Sequence, residues 1–242
     1  MKKTLLIALT IALLAGFLSR PLAAQDEKIR LGVLRFTNHT AAGWWRGSVG
    51  TELQDMLAAE LVSTDAFSVL ERKEIDAVLG EQDLGDSGRV SPATKAKLGR
   101  LKGAQYLIAG TVSAYEEDVS GQKAGVSFKG LSLGGAKNKA YIAVDMKVID
   151  AETGEIVDAR TIEANAKGSA LGAGLSLRNF SLGGEDYKNT PTGKVIRACI
   201  LYIAEYLECS LVEGKDASCM KKWNKMESKR KEKTKDAIDL DD

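Results

Sequence analysis

The 242-residue chain carries 34 basic and 33 acidic side chains, a single histidine and a formal net charge of +1. Charges so evenly matched and interspersed exclude the basic face that a nucleic-acid partner demands, so no such partner is expected. The length and a 44% hydrophobic content suit one sizeable buried core, with or without small appendages.

The N-terminus has the three-part layout of a secretory signal. Lys2 and Lys3 precede an apolar run from Leu5 to Leu18, and Leu22-Ala23-Ala24 offers a cleavage site before Gln25. Residues 1–24 are therefore expected to be a signal peptide, removed on export. The alternative, a retained membrane span, needs about 20 apolar residues, and this run is broken at Ser19-Arg20. Leu13-Leu14-Ala15-Gly16 has the form that precedes the acylated cysteine of a bacterial lipoprotein, but Phe17 follows it. The first cysteine is Cys199, so the expectation is a periplasmic or outer-membrane protein that is not a lipoprotein.

Downstream, Ile29 to Phe36 alternates as a strand does, and Leu53, Met56, Leu57 and Leu61 repeat at helical spacing within Val49 to Val62. Ala66 to Leu70 reads as a short strand and Glu74 to Leu84 as a second helix. Ser91-Pro92 has the form of a helix start, with the helix running to Gly99. Ala104 to Val112 is a central strand. Ala140 to Val148 alternates, with Thr153-Gly154 as a turn and Glu155 to Asn165 as the returning strand. Pro191 opens an amphipathic helix with Val195 to Leu207 at its heart. Residues 212–242 form a charged C-terminal tail, expected as a solvated helix or arm. Cys209 and Cys219 could pair across Glu213-Gly214-Lys215 in an oxidising compartment, although the sequence leaves the connectivity open. Cys199, in an apolar stretch, is expected to be a buried core residue.

Residues 124–135 (AGVSFKGLSLGG) and 173–184 (AGLSLRNFSLGG) align without a gap, 49 positions apart, with seven identities. In each copy, alternate residues fall on opposite faces: Val126 and Phe128 or Leu175 and Leu177 on one, Ser127 and Lys129 or Ser176 and Arg178 on the other. The phase shifts at Gly130 or Asn179, as at a bulge, and a Gly-Gly pair follows that can turn the chain. Two hairpins are expected, about 119–149 and 156–187. A two-stranded hairpin is barely stable alone in water. Either these pairs cross a membrane in a barrel shared by several subunits, or they extend a soluble sheet. Val126, Phe128, Ile142, Val144, Leu175 and Leu177 are the candidate lipid-facing residues, with Asp158 and Arg160 interrupting the third strand.

Four segments then carry a resemblance: LGVLRFTN (31–38), FSVLERKEIDAVLGEQ (67–82), GAQYLIAGTVSAYEE (103–117) and IAVDMKVIDAETGEIV (142–157). In order and spacing they resemble the CsgG family, subunits of the curli secretion channel of the bacterial outer membrane, over about Ile29 to Leu211. The resemblance implies an α/β (α+β) periplasmic domain, a helix-covered mixed sheet, spanning 25–211. It implies further that the domain forms a homo-oligomeric ring and lends two long β-hairpin extensions to a shared transmembrane β-barrel. Outer-membrane lipid and a secreted polypeptide cargo would then be partners. A loop after the first strand would line the pore constriction, which points here to Asn38, Trp44 and Trp45; the tryptophans could equally pack under the first helix. Family channels are lipoproteins, and Phe17 departs from that pattern.

No enzyme is expected. His39 has no second histidine to complete a metal set and no nucleophile motif around it. Glu71 and Arg72 read as a structural ion pair at a strand end. The glycine-rich copies do not join a strand to a helix as phosphate loops do. No cofactor or metal is expected. The two functional readings are a subunit of a passive export channel and a soluble periplasmic scaffold of the same fold.

Overall fold

The computed structural model describes residues 27–117, 127–128, 131–132, 139–167 and 190–236. The signal segment 1–24 with Phe17, the second repeat copy with Leu175 and Leu177, and Val126 lie outside the described residues.

Alternating apolar residues build one mixed sheet in the order β3-β1-β4-β7-β8. Strand β1 (Ile29–Val33) pairs in parallel with β3 (Phe67–Leu70) and with β4 (Tyr106–Glu117). The single strand expected over Ile29 to Phe36 is split, and β2 (Thr37–Asn38) rejoins β4 at Thr111 and Val112. The split arises because Phe36 turns inward and its N–H donates to the Gly50 carbonyl at the start of α1 (Val49–Ser63). Its ring fills the space over Gly110, where a Cβ would overlap it.

Strands β4, β7 (Lys139–Asp150) and β8 (Ile156–Lys167) form an antiparallel meander. Ala140, Ile142, Val144, Met146 and Val148 of β7 all point into the core, as their alternation predicts. Helices α1 and α3 (Pro191–Leu207) pack on each other, α1 against β1 and β3 and α3 against β7 and β8. On the far face, the Tyr141 hydroxyl donates to Glu163 and the Thr161 hydroxyl to Asp145, each at 2.8 Å.

Helix α2 (Ile75–Asp86) follows β3 and stands off the sheet. Glu71 caps its approach by accepting from the Lys73 and Glu74 amides at 2.6 and 3.0 Å, so its partners are backbone groups rather than Arg72. The Arg72 guanidinium donates instead to the Lys102 carbonyl. The helix expected over 91–99 is a single turn, in which the Ser91 carbonyl accepts from the Thr94 and Lys95 amides. A turn that buries no apolar face does not propagate, and Leu98 is 55% exposed.

In the first repeat copy, β5 (Ser127–Phe128) pairs with β6 (Leu131–Ser132), Phe128 opposite Leu131.

The charged tail is also corrected in part. After α3 the helix widens into a π segment (Glu208–Glu213) and stops at Gly214, whose φ of 96° favours glycine. A Cys209–Cys219 disulfide then ties in α4 (Met220–Asp236), while Cys199 is a free, buried thiol. Met220 and Trp223 belong to the core, so no break in packing falls at residue 211. Helix α4 is anchored by these two side chains while its charged face stays in solvent.

Candidate functional site at one end of the sheet

The ends of β4 and β8 and the starts of β7 and α3 converge at one end of the sheet. Glu117 lies opposite Ala140, and Lys139 opposite Lys167. The segments 118–138 and 168–189 therefore leave from neighbouring positions on the same edge of the molecule. Each leads into or out of one copy of the repeat.

A polar cluster joins these ends. Thr190 caps α3 by accepting from the Gly193 amide at 3.0 Å, with Pro191 at the first helical position. The buried Thr192 donates its one hydroxyl proton to Glu117 Oε1 at 2.9 Å, so the Tyr115 hydroxyl, 2.8 Å away, is the donor to Thr192. The Tyr115 ring meets Trp44 edge to face at 5.3 Å, and Trp44 meets Trp45 likewise at 5.6 Å.

The loop residues singled out in the sequence thus separate. Trp44 is 5% exposed and sits in the core beside β4; its Nε1 has no partner among the described residues. Trp45 is half-buried. The half-buried Asn38 makes an Asx turn, its Oδ1 accepting from the Thr40 amide and hydroxyl at 2.9 and 2.8 Å. Of the lipid-facing candidates, Ile142 and Val144 are 1% and 2% exposed. They are core residues, which corrects their expected role: the sheet's helix-covered face already buries them. The Phe128 side chain lies outside the described set.

Asp158 and Arg160, the expected interruptions of an apolar face, are also accounted for. The Tyr206 hydroxyl donates to Asp158 at 2.8 Å, and burial, helped by this bond, pushes the tyrosine up to about 12. Arg160 stacks 4.8 Å from the Tyr206 ring and donates to the Trp223 carbonyl at 2.9 Å and to Asn224 at 3.1 Å. The first half of β8 therefore packs against α3 and α4. The sequence did not single out Tyr115, Glu117 and Thr192; the Thr190-Pro191 helix start next to the repeat was the available signal. No group of three metal-type ligands occurs among the described residues, and no described helix is long and apolar enough to cross a membrane.

A mixed sheet of this order, with helices packed on one face, defines an α+β domain. The profile of the CsgG family, curli production assembly/transport component, matches residues 17–238. The chain belongs to that family, one of cell-envelope assembly and transport components rather than enzymes. No curated protein matches it in sequence. Among solved structures, a hypothetical protein of Chlamydia trachomatis is 12% identical over 74% of this chain and 98% of its own, with a TM-score of 0.41. The PelC dodecamer of Paraburkholderia phytofirmans is 12% identical over 73% and 83%, with a TM-score of 0.36. A lipoprotein of Neisseria meningitidis is 16% identical over 73% and 98%, with a TM-score of 0.34. These are distant likenesses.

Proposed function

We propose that the chain is a subunit of a ring-shaped outer-membrane export channel of the curli secretion type, through which polypeptide cargo passes without an energy-coupling step of its own. The observation that carries this reading is the side-by-side departure of 118–138 and 168–189 from one edge of the sheet. Each segment has about the length that two membrane-crossing strands of 9–11 residues need. Four strands cannot close a barrel, so several copies must share one wall. Val126, Phe128, Leu175 and Leu177 are the lipid-facing side chains in this reading. Asn38 and Trp45 face cargo at the constriction, with Trp44 packed behind them.

Membrane fractionation, detergent extraction and electron microscopy of the purified protein test it. Rings that need detergent support the channel. A monomer released by osmotic shock supports the soluble scaffold instead.

A further inference from the structure

The two edges of the sheet carry helices of opposite charge. At the β3 edge, separated from it only by residues 71–74, α2 holds Asp76, Glu81, Asp83 and Asp86 and no basic side chain. At the β8 edge, α4 has eight basic against three acidic side chains. It is fixed to β8 by the bonds from Arg160 to Trp223 and Asn224. Five strands separate the two helices, about 19 Å across the sheet, so the pair does not close within one subunit.

Both helices turn their charge outward. In α2 the buried positions are Gln82 and Gly85. At 100° per residue this leaves Asp76, Gly80, Asp83 and Leu84 toward the opposite side, with Leu79 on the flank. Leu79 and Leu84 are 40% and 41% exposed, and Val78 38%. Before α2, Lys73 is engaged by Asp55 and Glu74 and Arg72 by the Lys102 carbonyl; after it come Arg89, Lys95, Lys97, Arg100 and Lys102. Lys95 and Ala96 lie against Gly85, which puts this link on the helix's inner side. In α4, Met220 and Trp223 are buried, so Lys221, Lys225 and Lys229 form one outward ridge at four-residue spacing. No intrachain ion pair engages Asp76, Glu81, Asp83, Lys221, Lys225 or Lys229 among the described residues. The spacings also match: Asp76 to Asp83 rises about 10.5 Å and Lys221 to Lys229 about 12 Å.

We infer that α2 of one copy docks against α4 of the next, so that each chain offers its acidic edge to its neighbour's basic edge. The occupant is a second copy of this chain, in a head-to-tail contact that repeats around a closed ring. The inference rests on the ring reading above and names the surface that builds it. Complementary edges steer copies into register, and the leucines of α2 gain cover in the contact.

Two measurements on the full chain in detergent test it. In the first, Asp76→Lys with Asp83→Lys, and separately Lys225→Glu with Lys229→Glu, each raise the concentration for half-assembly at least tenfold. Their combination restores assembly to within threefold of wild type. Mass photometry reads the assemblies, and circular dichroism checks the fold. In the second, Gly80→Cys protein mixed with Lys225→Cys protein forms an oxidised dimer that neither forms alone. Wild-type rings that survive both charge reversals, or Gly80→Cys that cross-links to itself, overturn the contact while leaving the ring standing. A wild type that makes no ring overturns both readings.

Discussion

Tyr115 and Thr192, 77 positions apart, share a hydrogen bond of 2.8 Å at the end of the sheet from which both repeats depart. The Thr192 hydroxyl in turn donates to Glu117, so the end of β4 and the first turn of α3 are locked to each other between the two departing segments. Thr192→Val removes the shared partner, but water reaches the half-buried Tyr115 and the exposed Glu117 carboxylate. It should cost about 0.5–1.5 kcal/mol, read by urea denaturation. Tyr115→Phe should cost less, since Thr192 keeps Glu117.

Gly110 is held to its size by Phe36. Gly110→Ala places a methyl inside the contact distance of that ring. The destabilisation expected for an overpacked core is about 1–3 kcal/mol. Adding Phe36→Leu should recover part of it if the ring is the obstacle, and a thermal melt of the three variants checks this.

Trp223 anchors α4, meeting Tyr206 at 5.5 Å and Tyr202 at 6.2 Å, both edge to face. Trp223→Ala should lose about 3 kcal/mol, the lower end for a large aromatic removed from a core. It should also free α4, seen as fast amide exchange over 220–236. Cys209→Ser with Cys219→Ser should lose about 2–4 kcal/mol through the unlinked unfolded chain, with α4 still docked by Trp223.

Stability should fall in acid through two named glutamates. The Glu74 and Lys73 amides hold the Glu71 carboxyl below its ordinary value, and the Arg230 guanidinium does the same for Glu227. A carboxylate with a lowered folded pKa stabilises the protein above its unfolded value, and that contribution disappears as pH falls through the folded value. The melting temperature should be level from pH 8 to 6 and drop below about pH 4.5. Glu71→Gln with Glu227→Gln should lower it at pH 7 and scarcely at pH 3.

Most of the sheet was legible because one face is buried: Ala140 to Val148 shows its alternation directly, and Pro191 marks α3 to the residue. What was not legible depended on distant partners. Asp158 and Arg160 look like interruptions of an apolar face until Tyr206 and Trp223 are brought beside them. Trp223 sits in so charged a stretch that nothing local shows its burial. Trp44 and Trp45 are adjacent in sequence, yet Tyr115 takes one into the core and leaves the other half open. Ile142 and Val144 have the pattern of a membrane strand because a covered sheet and a barrel wall share the same period of two.

Purified, detergent-extracted protein added to a planar lipid bilayer tests the proposed pore most directly. A pore gives discrete, ohmic conductance steps that vanish when residues 118–138 and 168–189 are replaced by short glycine-serine links. A protein that stays monomeric without detergent and leaves the bilayer silent would contradict it.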